Sequence, residues 1–86
     1  MYVIISYDVE AKRCVKVMKI LRRYLYHLQE SVFEGNLTYK QLRDLKIELD
    51  NVTDKDYDSI VIYEMLSDKY LVKNYIGKER KQEIVI

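Results

Sequence analysis

An aspartate that closes a short apolar run is the first position in this chain with the makings of a reactive site. Asp8 ends the segment Tyr2-Val-Ile-Ile-Ser-Tyr-Asp8 and stands just before a stretch rich in lysine and arginine. A carboxylate held at the mouth of a strand can bind a hard cation such as Mg2+, with Mn2+ as a substitute, because such ions take few protein oxygens and keep their waters. Basic residues beside it would hold a phosphate. The competing role for Asp8 is to cap the turn or the following helix. One carboxylate alone is a poor magnesium site, and a two-fold axis bringing two copies of Asp8 together would supply the missing charge. Glu10 is the nearest further acid in sequence, with Glu30 and Glu34 more remote.

Other side chains carry weaker signals. Asp54, Asp56 and Asp58 spell the start of a calcium loop, but Ser59 stands where the loop glycine belongs and Met65 where the closing glutamate belongs. These acids read as a solvated loop. Ser31 with His27 four residues earlier suggests a nucleophile and base, yet no orienting acid is evident, so a hydrogen-bonding role is expected for Ser31. Cys14 falls on an apolar helix face and reads as a core residue. Tyr7, beside Asp8, is placed to touch a nucleotide. No glycine-rich phosphate loop occurs, nor the paired aromatic motif of RNA-recognition domains.

Charge is segregated. Six basic residues and no acid lie between Ala11 and Gln29, whereas eight acids between Asp44 and Asp68 face only Lys46 and Lys55. The net charge of +1 therefore conceals a basic face suited to a polyanion. At 100° per residue, Lys12, Lys16, Lys19 and Arg23 align on one side of a helix, flanked by Arg13 and Arg22.

The elements that must position these groups follow from periodicity. Tyr2 to Asp8 reads as a strand buried on both faces. Residues 11 to about 26 form a helix whose apolar face is Cys14, Val17, Met18, Leu21, Leu25 and Leu28. Residues 27 to 36 are extended, as one bent strand or a very short hairpin. Thr38 and Gln41 form a capping box for a second helix, with Leu37 and Leu42 at staple positions and Leu42, Leu45 and Leu49 on its buried face. Ser59 to Met65 is another buried strand, Leu71 to Ile76 a weaker candidate, and Gln82 to Ile86 a short terminal one. This order suits an α+β, ferredoxin-like βαββαβ sheet with two helices on one face and an extra C-terminal strand.

At 86 residues the chain is expected to be one domain, 1–86, with a thin core. Stacking two copies through the open sheet faces would bury more, so a homodimer is expected. The lone Cys14 rules out an internal disulfide and fits a reducing cytoplasm. No apolar run approaches the ~20 residues that span a bilayer, and the N-terminal run lacks the basic leader of a signal peptide, so no membrane partner is expected.

Three segments together resemble the CRISPR-associated Cas-two family. Val3-Ile-Ile-Ser-Tyr-Asp-Val9 is similar to its opening strand ending in Y-D-[VI]. Leu28-Gln-Glu-Ser-Val-Phe-Glu-Gly35 is similar to its Q-x-S-V-F-E motif, and Asp58-Ser-Ile-Val-Ile-Tyr63 to its D-S-[IV]-x-x-Y strand. The resemblance covers residues 1 to about 65. It implies a ferredoxin-like homodimer that works in CRISPR spacer acquisition beside an integrase subunit and bridges a short DNA duplex. It also implies a magnesium-dependent endonuclease acting on RNA or DNA. The family's metal-binding aspartate falls on Asp8, its serine on Ser31, its phenylalanine on Phe33 and its tyrosine on Tyr7, which implies that Phe33 contacts the nucleic acid or the other subunit. Some members carry an arginine two residues before the motif glutamine, where this chain has His27. Within the resemblance two classes stand side by side: a metal-dependent phosphodiesterase, and a non-catalytic DNA-binding scaffold of the integration complex; a third reading is a toxin-like messenger-RNA nuclease on the same fold.

Overall fold

The structure, a computed structural model, describes residues 1–77. Its elements run β1 (Tyr2–Asp8), α1 (Ala11–Tyr24), β2 (Tyr26–Gln29), β3 (Val32–Asn36), α2 (Tyr39–Val52) and β4 (Ser59–Met65). The four strands form one antiparallel sheet in the order β2-β3-β1-β4. This is the expected α+β, ferredoxin-like arrangement.

Successive strand side chains point to opposite faces. Val3, Ile5 and Tyr7 of β1 enter the core with Phe33 of β3. Val17, Ile20 and Leu21 of α1 and Leu42, Leu45 and Leu49 of α2 close over them from the helix side. The second helix starts as its sequence demands: the Thr38 hydroxyl accepts from Gln41 N at 3.1 Å and the Gln41 side chain accepts from Thr38 N at 2.9 Å. A cap of this kind is worth about 1 kcal/mol. The staple residues Leu37 and Leu42 both join the core.

The structure resolves residues 27 to 36 as a hairpin. Its turn holds Glu30 at φ 35°, the left-handed region that suits glycine, and β2 carries a bulge between His27 and Gln29. Three expectations need correction. Strand β1 is buried throughout only on the face that both helices cover; on the other, Tyr2 is buried, Ile4 and Ser6 are half-buried and Asp8 is exposed. Strand β4 is an edge strand rather than a buried one, with Val61 43% and Tyr63 56% exposed. Leu71 to Ile76 forms no strand. Instead Lys73 Nζ reaches Glu34 Oε2 at 2.5 Å, which places this segment against β3. The expected terminal strand Gln82 to Ile86 lies outside the described residues. No helix among the described residues is long and apolar enough to cross a membrane.

Candidate functional site

Asp8 is the last residue of β1, paired across the sheet with Ser59. Alternation puts it on the face away from the helices, with Ile4 and Ser6. It is exposed, and among the described residues no hydrogen bond or ion pair engages its carboxylate. The β2–β3 turn comes to the same end of the sheet, where Tyr7 N donates to the Ser31 carbonyl at 3.1 Å. The structure therefore brings Asp8 and the turn that carries Ser31 to one end of the sheet.

Of the other acids considered for a cation, Glu30 is exposed in the β2–β3 turn, whereas Glu10 and Glu34 are committed elsewhere. Glu10 is bound to Arg13 at 2.7 Å. Glu34 lies opposite Ile4, about 13 Å along β1 from Asp8, and its buried carboxylate accepts from the Tyr2 hydroxyl and Lys73. Among the described residues no three His, Cys, Asp or Glu side chains cluster closely enough to hold a metal ion. Among the described residues Asp8 is thus an uncommitted hard oxygen ligand that no cluster of further ligands completes. Mg2+ and Mn2+ fit such a donor because they keep most of their water shell, but the fit is that of half a site.

Two of the residues expected at the nucleic acid are buried in the single chain. Phe33 has no exposed surface; it pairs with Ile5 and stacks on His27 with ring centroids 4.5 Å apart. Tyr7 is only 6% exposed, and burial, aided by Cys14, pushes its hydroxyl up to about 12. Neither ring is free to meet a base. His27 Nε2 lies 2.5 Å from the Glu30 carbonyl, so the imidazole serves the turn and is not paired with Ser31.

The basic helix is less uniform than its periodicity suggests. Lys12, Lys16 and Lys19 are exposed and form no ion pair among the described residues. Arg23 pairs with Glu48 of α2, which also accepts from the Tyr24 hydroxyl. Arg13 is withdrawn from the stripe altogether: Nε donates to Asp58 Oδ2 at 2.5 Å and Nη2 to Asp58 Oδ1 at 2.9 Å. The free positive stripe consists of three lysines.

Asp58 is the residue that sequence reading missed. Far from being solvated, its side chain is 1% exposed. Besides Arg13 it accepts from Glu10 N at 2.9 Å and Asp54 N at 2.8 Å. Its only signal in the sequence is its place at the head of the Asp58-Ser-Ile-Val-Ile-Tyr63 strand. The Arg13 hydrogen bonds, more than the backbone donors, hold this carboxyl well below the usual carboxylate range. A depressed folded value stabilises the fold above the unfolded value near 3.8 and is lost as pH falls through and below it. The stability gap between the parent protein and Asp58→Asn is therefore expected to shrink between pH 7 and about pH 3. Urea unfolding at a series of pH values measures it, and a gap constant with pH would refute the assignment.

A groove between α2 and β4, about 270 Å3, is lined by Leu49, Thr53, Ile60 and Ile62 with Lys46 and Lys55. Asp8 does not line it, so the candidate site is an exposed carboxylate at a sheet end rather than a pocket.

Residues 1–73 match the family described as CRISPR associated protein Cas2. The chain is 40% identical over 83 residues to the CRISPR-associated endoribonuclease Cas2 of Thermotoga maritima, covering 96% of this chain and 95% of that protein. It is 39% identical over 80 residues to CRISPR-associated endoribonuclease Cas2 3 of Thermodesulfovibrio yellowstonii, covering 93% and 91%. A crystal structure of a Cas2 protein superimposes with a TM-score of 0.86 at 38% identity, covering 100% of this chain and 98% of that one. With its β1 ending at Asp8, its Ser31 turn and its strand order all in place, the chain belongs to the CRISPR-associated Cas2 family.

Proposed function

We propose that the protein is a metal-dependent endonuclease of CRISPR adaptation that acts as a homodimer on RNA or DNA phosphodiester bonds, beside an integrase subunit. The observation that carries this reading is the exposed, uncommitted Asp8 at the end of a rigid strand, three residues before a helix bearing three lysines that are unpaired among the described residues. The relatives named above are called endoribonucleases, which supports nuclease chemistry. The half-site at Asp8 calls for a second copy. The sheet face that carries Asp8 also exposes Val61 and Tyr63, apolar surface that a second copy would cover. Bound there, Mg2+ or Mn2+ supplies Lewis-acid polarisation of a phosphoryl oxygen and an acidified water. Asp8 holds the cation, Lys12, Lys16 and Lys19 hold the backbone phosphates, and the role given to Ser31 is to hydrogen-bond water or phosphate.

A second reading has its own support. The described residues of one chain contain no cluster of metal ligands. A non-catalytic scaffold that bridges duplex DNA needs only the lysine stripe and the dimer.

Both readings need the stripe, and it is tested first. Phosphate contacts release counterions, so affinity falls with salt in proportion to their number. The double variant Lys16→Glu and Lys19→Glu is expected to bind RNA and duplex at least about tenfold more weakly. Its slope of log affinity against log salt should be shallower by about 1.8 on duplex DNA. Fluorescence anisotropy over a salt series measures both, with Mg2+-dependent cleavage followed in parallel. Unchanged binding would reduce the stripe to a solvated face.

A further inference from the structure

We propose that the Asp58–Arg13 pair is the positioning device of the Asp8 carboxylate, fixing the turn from β1 into α1 and keeping a guanidinium's charge away from the cation. The inference rests on the reading of Asp8 as the metal-holding residue.

Helix α1 begins without a side-chain cap of its own, since no side chain of the N-cap residue Glu10 bonds the first turn's backbone. Asp58 substitutes from across the fold. It precedes Ser59, the strand partner of Asp8, so it sits one residue from the cross-strand neighbour of the site. Its Oδ1 accepts from Glu10 N at 2.9 Å, which ties down the backbone two residues after Asp8. Its Oδ2 accepts from Asp54 N at 2.8 Å, which ties down the loop leading into β4. Arg13, in the first turn of α1, fills the remaining positions with a two-pronged bond from Nε and Nη2.

A carboxylate has about four acceptor sites, and all four are spent. Asp58 has no capacity left to bind a metal, although it is a carboxylate close to Asp8 in the fold. Its action on the site is therefore indirect. One part is geometric: both chain segments leaving Asp8 and Ser59 are bound to the same buried group. The other part is electrostatic. Arg13 is held by Asp58 and Glu10, two negative charges against one positive, so the turn beside Asp8 keeps an acidic balance. Without Asp58 a mobile guanidinium would stand five residues from Asp8 and repel a cation.

The test uses Mn2+ itself, read by electron paramagnetic resonance or calorimetry on the intact protein, with no substrate. Asp58→Asn keeps the shape, removes the charge and is expected to weaken Mn2+ binding by about 10- to 100-fold, the usual consequence of removing a group that orients a ligand. Protection of the Glu10 amide against hydrogen exchange should fall in the same variant. Arg13→Lys keeps the charge and loses the two-pronged geometry, so its Mn2+ affinity should fall between those of the parent and Asp58→Asn. Asp8→Asn serves as the control that abolishes binding. If Asp8→Asn abolishes Mn2+ binding while folded Asp58→Asn binds like the parent, the clamp is a fold anchor only and the proposal is overturned, with the Asp8 reading intact. If Asp8→Asn also binds like the parent, the metal reading itself is refuted and the positioning role goes with it. Should Asp58→Asn fail to fold, Arg13→Lys decides: weakened Mn2+ binding supports the clamp and parental binding overturns it.

Discussion

Replacing Asp8 by asparagine is expected to reduce Mg2+-dependent cleavage by about 100-fold or more while the protein stays folded. The size follows from what a bound cation contributes to a phosphoryl-transfer barrier, several kcal/mol, at about 1.4 kcal/mol for each tenfold in rate. Survival of the fold follows from where Asp8 sits. Its side chain is exposed at the end of β1 and bonds to no described residue, so the change should alter stability by no more than about 0.5 kcal/mol. Nucleic-acid binding without metal should persist, because the lysines of α1 do not depend on Asp8. The measurement is cleavage of labelled RNA and duplex DNA over a Mg2+ series, with Mn2+ as a second metal and a chelator as the blank. Cleavage by Asp8→Asn at the parental rate would move the site elsewhere. If neither protein cleaves with either metal, yet both bind duplex and associate with an integrase, the scaffold reading holds and Asp8 is no catalytic residue.

Much of the architecture was legible because its signals are local. Helix α2 announces itself through Thr38, Gln41 and the leucines at 42, 45 and 49, and the structure shows the box and the buried face together. The end of β1 at Asp8 was equally plain, since a charged residue stops an apolar run. The errors arose where the deciding partner is distant in sequence. Residues 27 to 36 did not reveal which side of a sheet Phe33 would take. That is set by its register against Ile5, 28 positions earlier, which turns it toward the helices. Arg13 has the spacing of a flank to the basic stripe, yet Asp58, 45 residues on, claims it. Asp58 looked solvated for the same reason: three alternating aspartates read as a polar loop, and nothing local shows that the last of them is drawn under the start of α1. Strand β4 read as buried from its composition alone, but it is an edge strand among the described residues, and its outer face stays exposed. The Asp8 half-site has the same character, because a second copy is not written in one chain's periodicity.

The second large effect concerns Phe33, which the resemblance put at the substrate or the other subunit and which is buried in the core of the single chain. Phe33→Ala is expected to destabilise the fold by about 3–5 kcal/mol, from lost transfer energy and the cavity left behind. A domain of this length has a total stability on the order of 5–10 kcal/mol, so a large fraction is removed at one position. The ring is fully buried, lies 6.2 Å from the Tyr7 ring centroid and stacks on His27 at 11°. Its loss therefore also leaves the imidazole without the face it packs on. Weak nucleic-acid binding by Phe33→Ala would be ambiguous, because an unfolded chain binds nothing specifically. Phe33→Leu separates the roles: it keeps most of the volume and remains folded, while removing the aromatic face that a base would stack on. A core residue predicts that Phe33→Leu lowers the urea midpoint but leaves RNA and duplex affinity unchanged at fixed salt. A substrate-contacting ring predicts the reverse, unchanged stability with affinity lowered by the ~1–3 kcal/mol that base–aromatic stacking contributes. The buried position of Phe33, between Ile5 and His27 in the sheet, favours the first outcome, because a side chain without exposed surface has no face to offer a base.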